Sequence, residues 1–361
     1  MMSAHELASL ESTVALLGLG IGLVLGWIAR YSNFCTLGAI SDWYASRDMS
    51  RLRMWLLAIA VAIGATQWLI ATQTIQVQES FYIAPRLLWL SNILGGLIFG
   101  FGMVLSSGCG SRTLIRIGGG NLKAVVVFIV LALSAYMTMR GIFAVLRVET
   151  LDKAVINLGS KQDLGSLLGF SPNGVATVIV IALLIFVFSN RSFLQRPRLI
   201  VGGLVIGSLV AFGWYVTGHI GFIAEDPNTL EPRFLATNTR GIESLTFVAP
   251  LAYWLDLLML WSDKSRTVTF GIATVSGVAL GSLIHAMATR SFRLEGFHNR
   301  QDLSRHLVGA VLMGVGGVTA MGCTIGQGIT GLSLLALGSI LTTVSIVAGA
   351  WVGLRWAERR V

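Results

Sequence analysis

Long apolar stretches are the feature that most constrains this chain. Nine of them, each near the ~20 residues that a helix needs to cross the hydrocarbon core of a bilayer, alternate with polar connections. They cover 12–30, 53–73, 87–106, 122–142, 173–190, 199–217, 267–288, 304–321 and 332–356. Backbone polar groups inside a bilayer must be satisfied within each spanning element. The stretches therefore predict an all-α, polytopic integral membrane protein with about nine transmembrane helices.

The composition agrees with this interpretation. Of the 361 residues 54% are hydrophobic, the mean hydropathy is +0.76 and only 12% are charged, whereas a soluble protein carries about 25% charged residues. This balance excludes a pair of soluble domains, a disordered chain, a disulfide-rich secreted scaffold and a protein whose main role is nucleic-acid binding. We expect residues 1–361 to form a single membrane domain.

Basic residues are unevenly shared between the two sets of connections. Those on the C-terminal side carry about twice as many Lys and Arg as those on the N-terminal side, and such an excess marks the cytoplasmic face. The prediction is an N-terminus outside and a C-terminus in the cytoplasm. The long connections 143–172 and 218–246 then face outward.

A weak internal repeat relates the two halves of the chain. It aligns GGLIFGFGMVLSSGCG (95–110) with GAVLMGVGGVTAMGCT (309–324), so that four glycines and one cysteine coincide. We interpret 12–142 and 199–356 as repeat halves and 173–190 as a linker helix. Five crossings precede the second half, so the halves are inverted about a pseudo-twofold axis, as in transporters with a midplane site. Chance similarity between Gly-rich helices is the alternative.

Four segments interrupt the helical pattern, and we predict that they are re-entrant loops. Irregular backbone at membrane depth is tolerated only where it is buried in protein or lines a cavity. The segments are 31–46, 107–121, 241–261 and 321–331. Each of the three cysteines, Cys35, Cys109 and Cys323, lies in one of them and none lies in the middle of a span. Three thiols on loops from both faces suggest a path through the centre.

Thiols at these positions indicate a soft substrate. A thiol is polarizable and a weak donor and acceptor, so it suits an ion whose outer atom is sulfur, selenium or a soft metal. Gly108 and Gly322 precede Cys109 and Cys323 and would let a ligand approach the backbone closely. The cysteines match neither a disulfide framework nor a zinc motif. Inert buried thiols are the alternative.

Polar residues beside the Gly-Cys turns are further candidates for substrate contacts. A helix that begins just after each turn would direct N–H groups and its positive dipole end toward an anion. Ser111, Thr324 and Gln327 would add neutral donors. Arg112 follows Cys109 by three residues. It is either an intramembrane charge with a function or a residue of the cytoplasmic mouth.

Four motifs combine these features. They are SNFC (32–35), FGFGMVLSSGCGSRTLIRIGGGN (99–121), ESLTF with Pro250 (243–250) and MGCTIGQGITGLSLLALGS (321–339). In these motifs and in the order of its spans the chain resembles the YeeE/YedE family of sulfur transporters, the thiosulfate uptake proteins. The resemblance implies nine membrane helices, four loops that dip into a bacterial cytoplasmic (inner) membrane, and an inverted pseudo-twofold.

The resemblance also implies a mechanism. Thiosulfate would be handed on by transient S–H···S contacts from Cys323 on the outer side to Cys109 near the middle and Cys35 on the inner side. The glycines that would shape the loops are Gly108, Gly110 and Gly322. The protein would be a transporter rather than an enzyme, without a cofactor, and a separate cytosolic TusA-like sulfur carrier is a candidate partner.

Other functions remain open from the sequence. Relatives of the family suggest other sulfur or selenium species as cargo. A Cu(I) transporter would suit thiolate ligands, but no Met- or His-rich entry cluster is present and the net charge of +9 disfavours a cation. A membrane sulfurtransferase that forms a cysteine persulfide is the third alternative, with Arg112 stabilising the Cys109 thiolate.

Overall fold

The computed structural model describes residues 4–226 and 230–359, and within them the chain forms fifteen α-helices. In chain order they are α1 (Ala4–Tyr31), α2 (Thr36–Ser46), α3 (Ser50–Ala71), α4 (Trp89–Leu105), α5 (Gly110–Gly118), α6 (Leu122–Arg140), α7 (Ile142–Glu149), α8 (Leu164–Leu168), α9 (Pro172–Phe188), α10 (Arg191–Leu194), α11 (Pro197–Tyr215), α12 (Val248–Met259), α13 (Phe270–Ala288), α14 (Arg300–Thr319) and α15 (Leu337–Glu358). A helix lies at each of the nine predicted spans.

Seven helical segments of the described residues are long and apolar enough to cross a membrane. They contain α1, α3, α4, α6, α11, α13 and α15. Helix α9 is apolar but shorter, and α14 begins with a polar stretch that includes Arg300, Asp302 and Arg305. The polytopic all-α architecture is confirmed, while the count of nine crossings stays a prediction.

The connections contain short regular elements. Strand β1 (Arg86–Leu87) pairs antiparallel with β2 (Ile156–Asn157), and β3 (Phe222–Ile223) pairs antiparallel with β4 (Arg233–Phe234). Two π-helical segments, Val216–Ile220 and Gly326–Gly331, follow α11 and the third cysteine. Three 3₁₀ turns complete the regular structure of the described residues, at Val77–Glu79, Phe81–Ile83 and Leu151–Lys153.

Helix packing shows a pairwise exchange. Helix α1 packs along α13 and α11 packs along α3, while α4 packs on α15 and α14 packs on α6. Suppose that α1, α3, α4 and α6 correspond in order to α11, α13, α14 and α15. The α1–α13 contact then corresponds to the α11–α3 contact, and the α4–α15 contact corresponds to the α14–α6 contact. The α1–α11 and α4–α14 contacts map onto themselves. This pattern supports the proposed two-fold relation between halves, whose boundaries remain an interpretation.

Glycines allow the closest of these crossings. A Cβ on Gly26 would overlap the carbonyl oxygen of Val278, and one on Gly281 would overlap that of Leu23, so α1 and α13 touch through their backbones. Gly100 brings α4 equally close to α15. In lipid, helix association depends on such close packing because the tails are as apolar as the side chains. This accounts for much of the use of 42 glycines.

Candidate functional site

All three cysteines follow a helix that ends in the same turn. The left-handed residue of the turn is Asn33, Ser107 or Met321, with φ of 55°, 57° and 57°. The N–H of the next residue, Phe34, Gly108 or Gly322, donates to the carbonyl five residues earlier at 2.9, 3.0 and 2.8 Å. This is the Schellman motif, which satisfies the last carbonyls of a helix. It sets each cysteine at the start of a new segment, as the sequence predicts.

Each thiol has a hydrogen-bonding partner two or three residues further along the chain. Cys35 Sγ lies 3.3 Å from the N of Gly38, Cys109 Sγ lies 3.2 Å from the Oγ of Ser111, and Cys323 Sγ lies 3.4 Å from the N of Gly326. A backbone N–H only donates, so the sulfurs of Cys35 and Cys323 act as acceptors here. Their own S–H groups are then free to donate to a ligand.

The tertiary structure brings the three thiols to one place. Cys109 lies within electrostatic range of both Cys35 and Cys323, which makes it the central member of the set. Cys109 and Cys323 are buried, whereas Cys35 is partly exposed.

The fourth re-entrant segment packs against Cys323. Two hydroxyl groups attach it to its neighbours: Ser244 Oγ of the segment donates to the Val210 carbonyl of α11, and Thr330 Oγ1 of the π-helical segment donates to the Leu245 carbonyl, each at 2.7 Å. The backbone N–H of Phe247, just before helix α12 within this segment, interacts with the Cys323 thiol. The segment therefore supplies a wall of the site although it contains no cysteine.

The glycines of the turns differ in how tightly they are confined. A Cβ on Gly108 would lie 2.9 Å from Arg112 Cγ, and one on Gly322 would lie 2.9 Å from Gln327 Cγ. On Gly110 it would meet Leu251 only at 3.4 Å, an ordinary contact. Close packing therefore explains Gly108 and Gly322 but not Gly110.

Gln327 and Thr324 have different surroundings. The Gln327 amide nitrogen donates to the carbonyls of Ala320 (2.9 Å) and Met321 (3.0 Å), and its oxygen accepts from Ser339 Oγ (2.6 Å). Its polar atoms are thus engaged in closing the turn. The Thr324 hydroxyl is buried and has no partner among the described residues. Thr324 therefore has a donor left for a ligand, whereas Gln327 supports the turn.

Arg112 lies on the Cys35 side. Its Nη2 donates to Asn33 Oδ1 at 3.0 Å, which ties the Cys109 helix α5 to the Cys35 turn. The side chain lines a cavity of about 430 Å³ together with Arg30 and Arg116. Arg112 therefore lines a cavity on the Cys35 side, and both interpretations of this residue stay predictions.

Two cavities open on the Cys323 side. Their volumes are about 290 and 330 Å³, and both are lined by Tyr82 and Met321. The larger also reaches Gly322 and Thr246. Sequence reasoning missed Tyr82, because it lies in a connection whose fold is set by tertiary contacts. Thr246 lies inside the ESLTF motif, which was the available signal for it.

The described residues contain no group of three or more His, Cys, Asp or Glu side chains that could hold a metal ion. Cys35, Cys109 and Cys323 are all free thiols.

Residues 31–352 match a family model described as Sulphur transport. A thiosulfate transporter TsuA of Escherichia coli (strain K12) is 27% identical over 349 residues, which cover 94% of this chain and 93% of the relative. A thiosulfate transporter TsuA of Spirochaeta thermophila (strain ATCC 700085 / DSM 6578 / Z-1203) is 26% identical over 352 residues, which cover 92% of this chain and 96% of the relative.

Proposed function

The chain belongs to the sulphur transport family, and on that premise we propose that it takes up thiosulfate across the cytoplasmic membrane. Both relatives, matched over almost their whole length, are named thiosulfate transporters. The observation that carries the proposal is the assembly of three thiols behind three like turns, with Cys109 within range of both others. A sulfur-tipped anion is the cargo that such a set of soft donors suits.

The proposed route begins in the cavities beside Cys323. Thiosulfate accepts an S–H···S contact from Cys323, passes to Cys109 and then to Cys35, and leaves through the cavity beside Arg112. S–H groups are weak donors, so each contact holds the ion without trapping it. Passage requires several sites that bind favourably but release readily. The free S–H groups at Cys35 and Cys323, and the Thr324 hydroxyl, supply such contacts.

Further parts of the proposal concern the setting of the protein. The N-terminus lies outside and the C-terminus lies in the cytoplasm, because the connections on the C-terminal side carry the excess of Lys and Arg. The ion crosses unchanged, so the protein acts as a transporter and not as an enzyme. On the cytoplasmic face, a separate TusA-like sulfur carrier would receive the cargo.

The decisive test is uptake of labelled thiosulfate by a bacterial strain that lacks other thiosulfate importers. Wild-type protein should restore uptake. In Cys109→Ala and in Cys109→Ser the uptake rate should fall at least about ten-fold. The serine variant is informative because its hydroxyl is a donor of similar size but is hard where the thiol is soft. Ser134→Ala, which removes a buried hydroxyl bonded to the Val130 carbonyl of its own helix α6, is the matched control. Equal uptake by wild type and both Cys109 variants at equal membrane levels would refute the relay.

The sulfurtransferase alternative makes a different prediction. It requires that Arg112 activate the Cys109 thiol, but the Arg112 guanidinium donates to Asn33. We therefore expect intact-mass analysis of actively transporting protein to find no added sulfur on any cysteine. A stoichiometric mass increase of one sulfur on Cys109 during turnover would favour the enzyme instead.

A further inference from the structure

The cavity on the Cys35 side is built mainly from cationic and neutral polar side chains. We call it the arginine vestibule, and its lining consists of Arg30, Asn33, Arg112, Ile115, Arg116, His285, Thr289 and Ser291. Three helices that are distant in sequence contribute to it: the end of α1, one face of α5 and the end of α13. Cys35 is its neighbour, since the thiol lies within electrostatic range of both Arg112 and Arg116.

Neutral oxygens, not carboxylates, hold the three guanidinium groups. Arg112 donates to the Asn33 amide oxygen at 3.0 Å, and Arg30 donates to the Ser291 hydroxyl and carbonyl at 3.1 and 3.3 Å. Arg116 approaches only backbone carbonyls, at 3.4–3.5 Å. Within the described residues the lining contains no Asp or Glu. Like charges therefore repel, between Arg112 and each of the other two.

The carboxylates that act on Arg116 lie outside this lining and have other partners. Asp302 forms an ion pair with Lys123 at 2.8 Å, and Glu295 accepts a hydrogen bond from Asn121 at 2.6 Å. Their influence on Arg116 is through space. The vestibule thus retains an excess of positive charge that an anion inside it would relieve.

We propose that the arginine vestibule is an oxyanion-binding exit site that takes the sulfonate-type end of the transported ion as its terminal sulfur leaves Cys35. The proposal rests on the proposed function and extends it. Thiols suit the soft sulfur end, but three oxygens that share a negative charge need strong donors. The planar fork of Arg matches an oxyanion by paired N–H···O bonds. Sulfate, in which a fourth oxygen replaces the terminal sulfur, should therefore bind in the vestibule as well.

The other explanation of these three arginines is that their charge only orients the protein in the membrane, and it makes a different prediction. Orientation in the membrane requires only positive charge at the cytoplasmic face, and Lys supplies this as well as Arg. Oxyanion recognition by a guanidinium fork is not reproduced by Lys. An exchange of Arg for Lys therefore separates the two explanations at constant charge.

The test is equilibrium binding of labelled sulfate to the purified full-length protein in phosphatidylcholine nanodiscs at low ionic strength. We expect one saturable site, and a Kd that rises about five-fold in Arg30→Lys and in Arg116→Lys, the effect of one lost charge-assisted hydrogen bond. Asn33→Asp keeps the shape and tolerates the left-handed backbone, but it sets a carboxylate against Arg112 and should weaken binding more than ten-fold. Arg305→Lys, exposed on α14 outside the vestibule, should bind as wild type does.

Several outcomes would overturn the proposal. These are the absence of saturable sulfate binding, equal affinity in wild type and both Arg→Lys variants, or a co-purified anionic phospholipid whose phosphate occupies the site and excludes sulfate. Thiosulfate uptake into proteoliposomes, measured on the same preparations, separates this result from the proposed function. Uptake without sulfate binding refutes only the vestibule, and sulfate binding without uptake refutes only thiosulfate transport.

Discussion

The turns at Cys109 and Cys323 share a backbone but differ in what supports it. In the first, Arg116 Nη1 approaches the carbonyls of Ser106 and Ser107 at 3.5 and 3.4 Å. In the second, Gln327 Nε2 donates to the corresponding carbonyls at 2.9 and 3.0 Å. Both side chains satisfy the carbonyls that a helix leaves free at its C-terminus. The same structural need is met by a long cation in one turn and by a short neutral amide in the other.

This difference gives the two sides of the site different character. Gln327 is buried and its oxygen is further fixed by Ser339, so three short hydrogen bonds hold the Cys323 turn rigidly. Arg116 is only partly buried and extends into the arginine vestibule, so the Cys109 turn faces a wide, charged cavity. The comparison teaches that a repeated backbone need not produce two equivalent binding sites.

Replacing the Gln327 amide, a donor to two carbonyls, by a carboxylate should have the largest effect on stability. In Gln327→Glu a carboxylate cannot donate to the two carbonyls and repels them, so we expect a loss of about 3 kcal/mol of stability and severe loss of uptake. Arg116→Gln should cost under about 1 kcal/mol, since its bonds are long and partly exposed. Thermal unfolding of purified protein measures both. Equal losses in the two variants would contradict the comparison.

Substitution of the glycine before each cysteine should also destabilise the Cys323 turn more than the Cys109 turn. In Gly322→Ala the new Cβ meets Gln327 Cγ, which is held by three hydrogen bonds, so we expect a loss of about 2 kcal/mol from overpacking. In Gly108→Ala the Arg112 side chain has an open cavity beside it and the loss should be about 1 kcal/mol. Gly110→Ala is the control and should be close to neutral. A larger loss in Gly108→Ala than in Gly322→Ala would refute the assignment of rigidity.

Hydroxyl groups that attach the segments after the two turns to neighbouring elements should matter less and about equally. Thr330→Val removes the bond to the Leu245 carbonyl, and Ser282→Ala removes the bond to the Ile115 carbonyl at 2.6 Å. Each should cost about 1 kcal/mol. Unfolding temperatures measured in the same detergent test this, and a difference of more than about 2 kcal/mol between the variants would show that the two attachments are not equivalent.

Loss of the hydroxyl beside the central thiol should have the smallest effect. Ser111→Ala leaves the Cys109 thiol in place and removes a partner at 3.2 Å. We expect uptake to fall by no more than about three-fold, the scale of one weak neutral hydrogen bond. Kinetics of thiosulfate uptake measure it. A loss as complete as that expected for Cys109→Ala would mean that Ser111, and not the thiol alone, handles the ion.

The sequence predicted the positions of the helices and of the special turns well, and for a local reason. The length of an apolar stretch is set by bilayer thickness, so a helix lies at each predicted span, and the Gly-Cys pairs mark where helices α4 and α14 end. Helix α14 begins at Arg300 instead of the predicted 304, and this difference also has a local cause. Asn299 caps the helix through the Asp302 N–H at 2.7 Å, a polar start that hydropathy does not detect.

What each side chain faces depends on contacts between distant segments. Arg112 turns to Asn33 because α5 packs beside the end of α1, and Gln327 turns back to the carbonyls of its own turn. Tyr82 reaches the site from a connection with no motif. Neither the hydropathy of the chain nor the spacing of its residues predicts which way these side chains point.

By itself, the sequence determined a helical membrane protein with three thiols on interrupted segments, since a bilayer restricts the chain to helices and leaves irregular backbone only for a buried path. Only the tertiary structure decided that Cys109 lies within electrostatic range of both other thiols and that three arginines meet in one cavity. The physical reason is that hydropathy acts along a single helix, whereas the meeting of α1, α5 and α13 depends on how closely their glycines let the backbones approach.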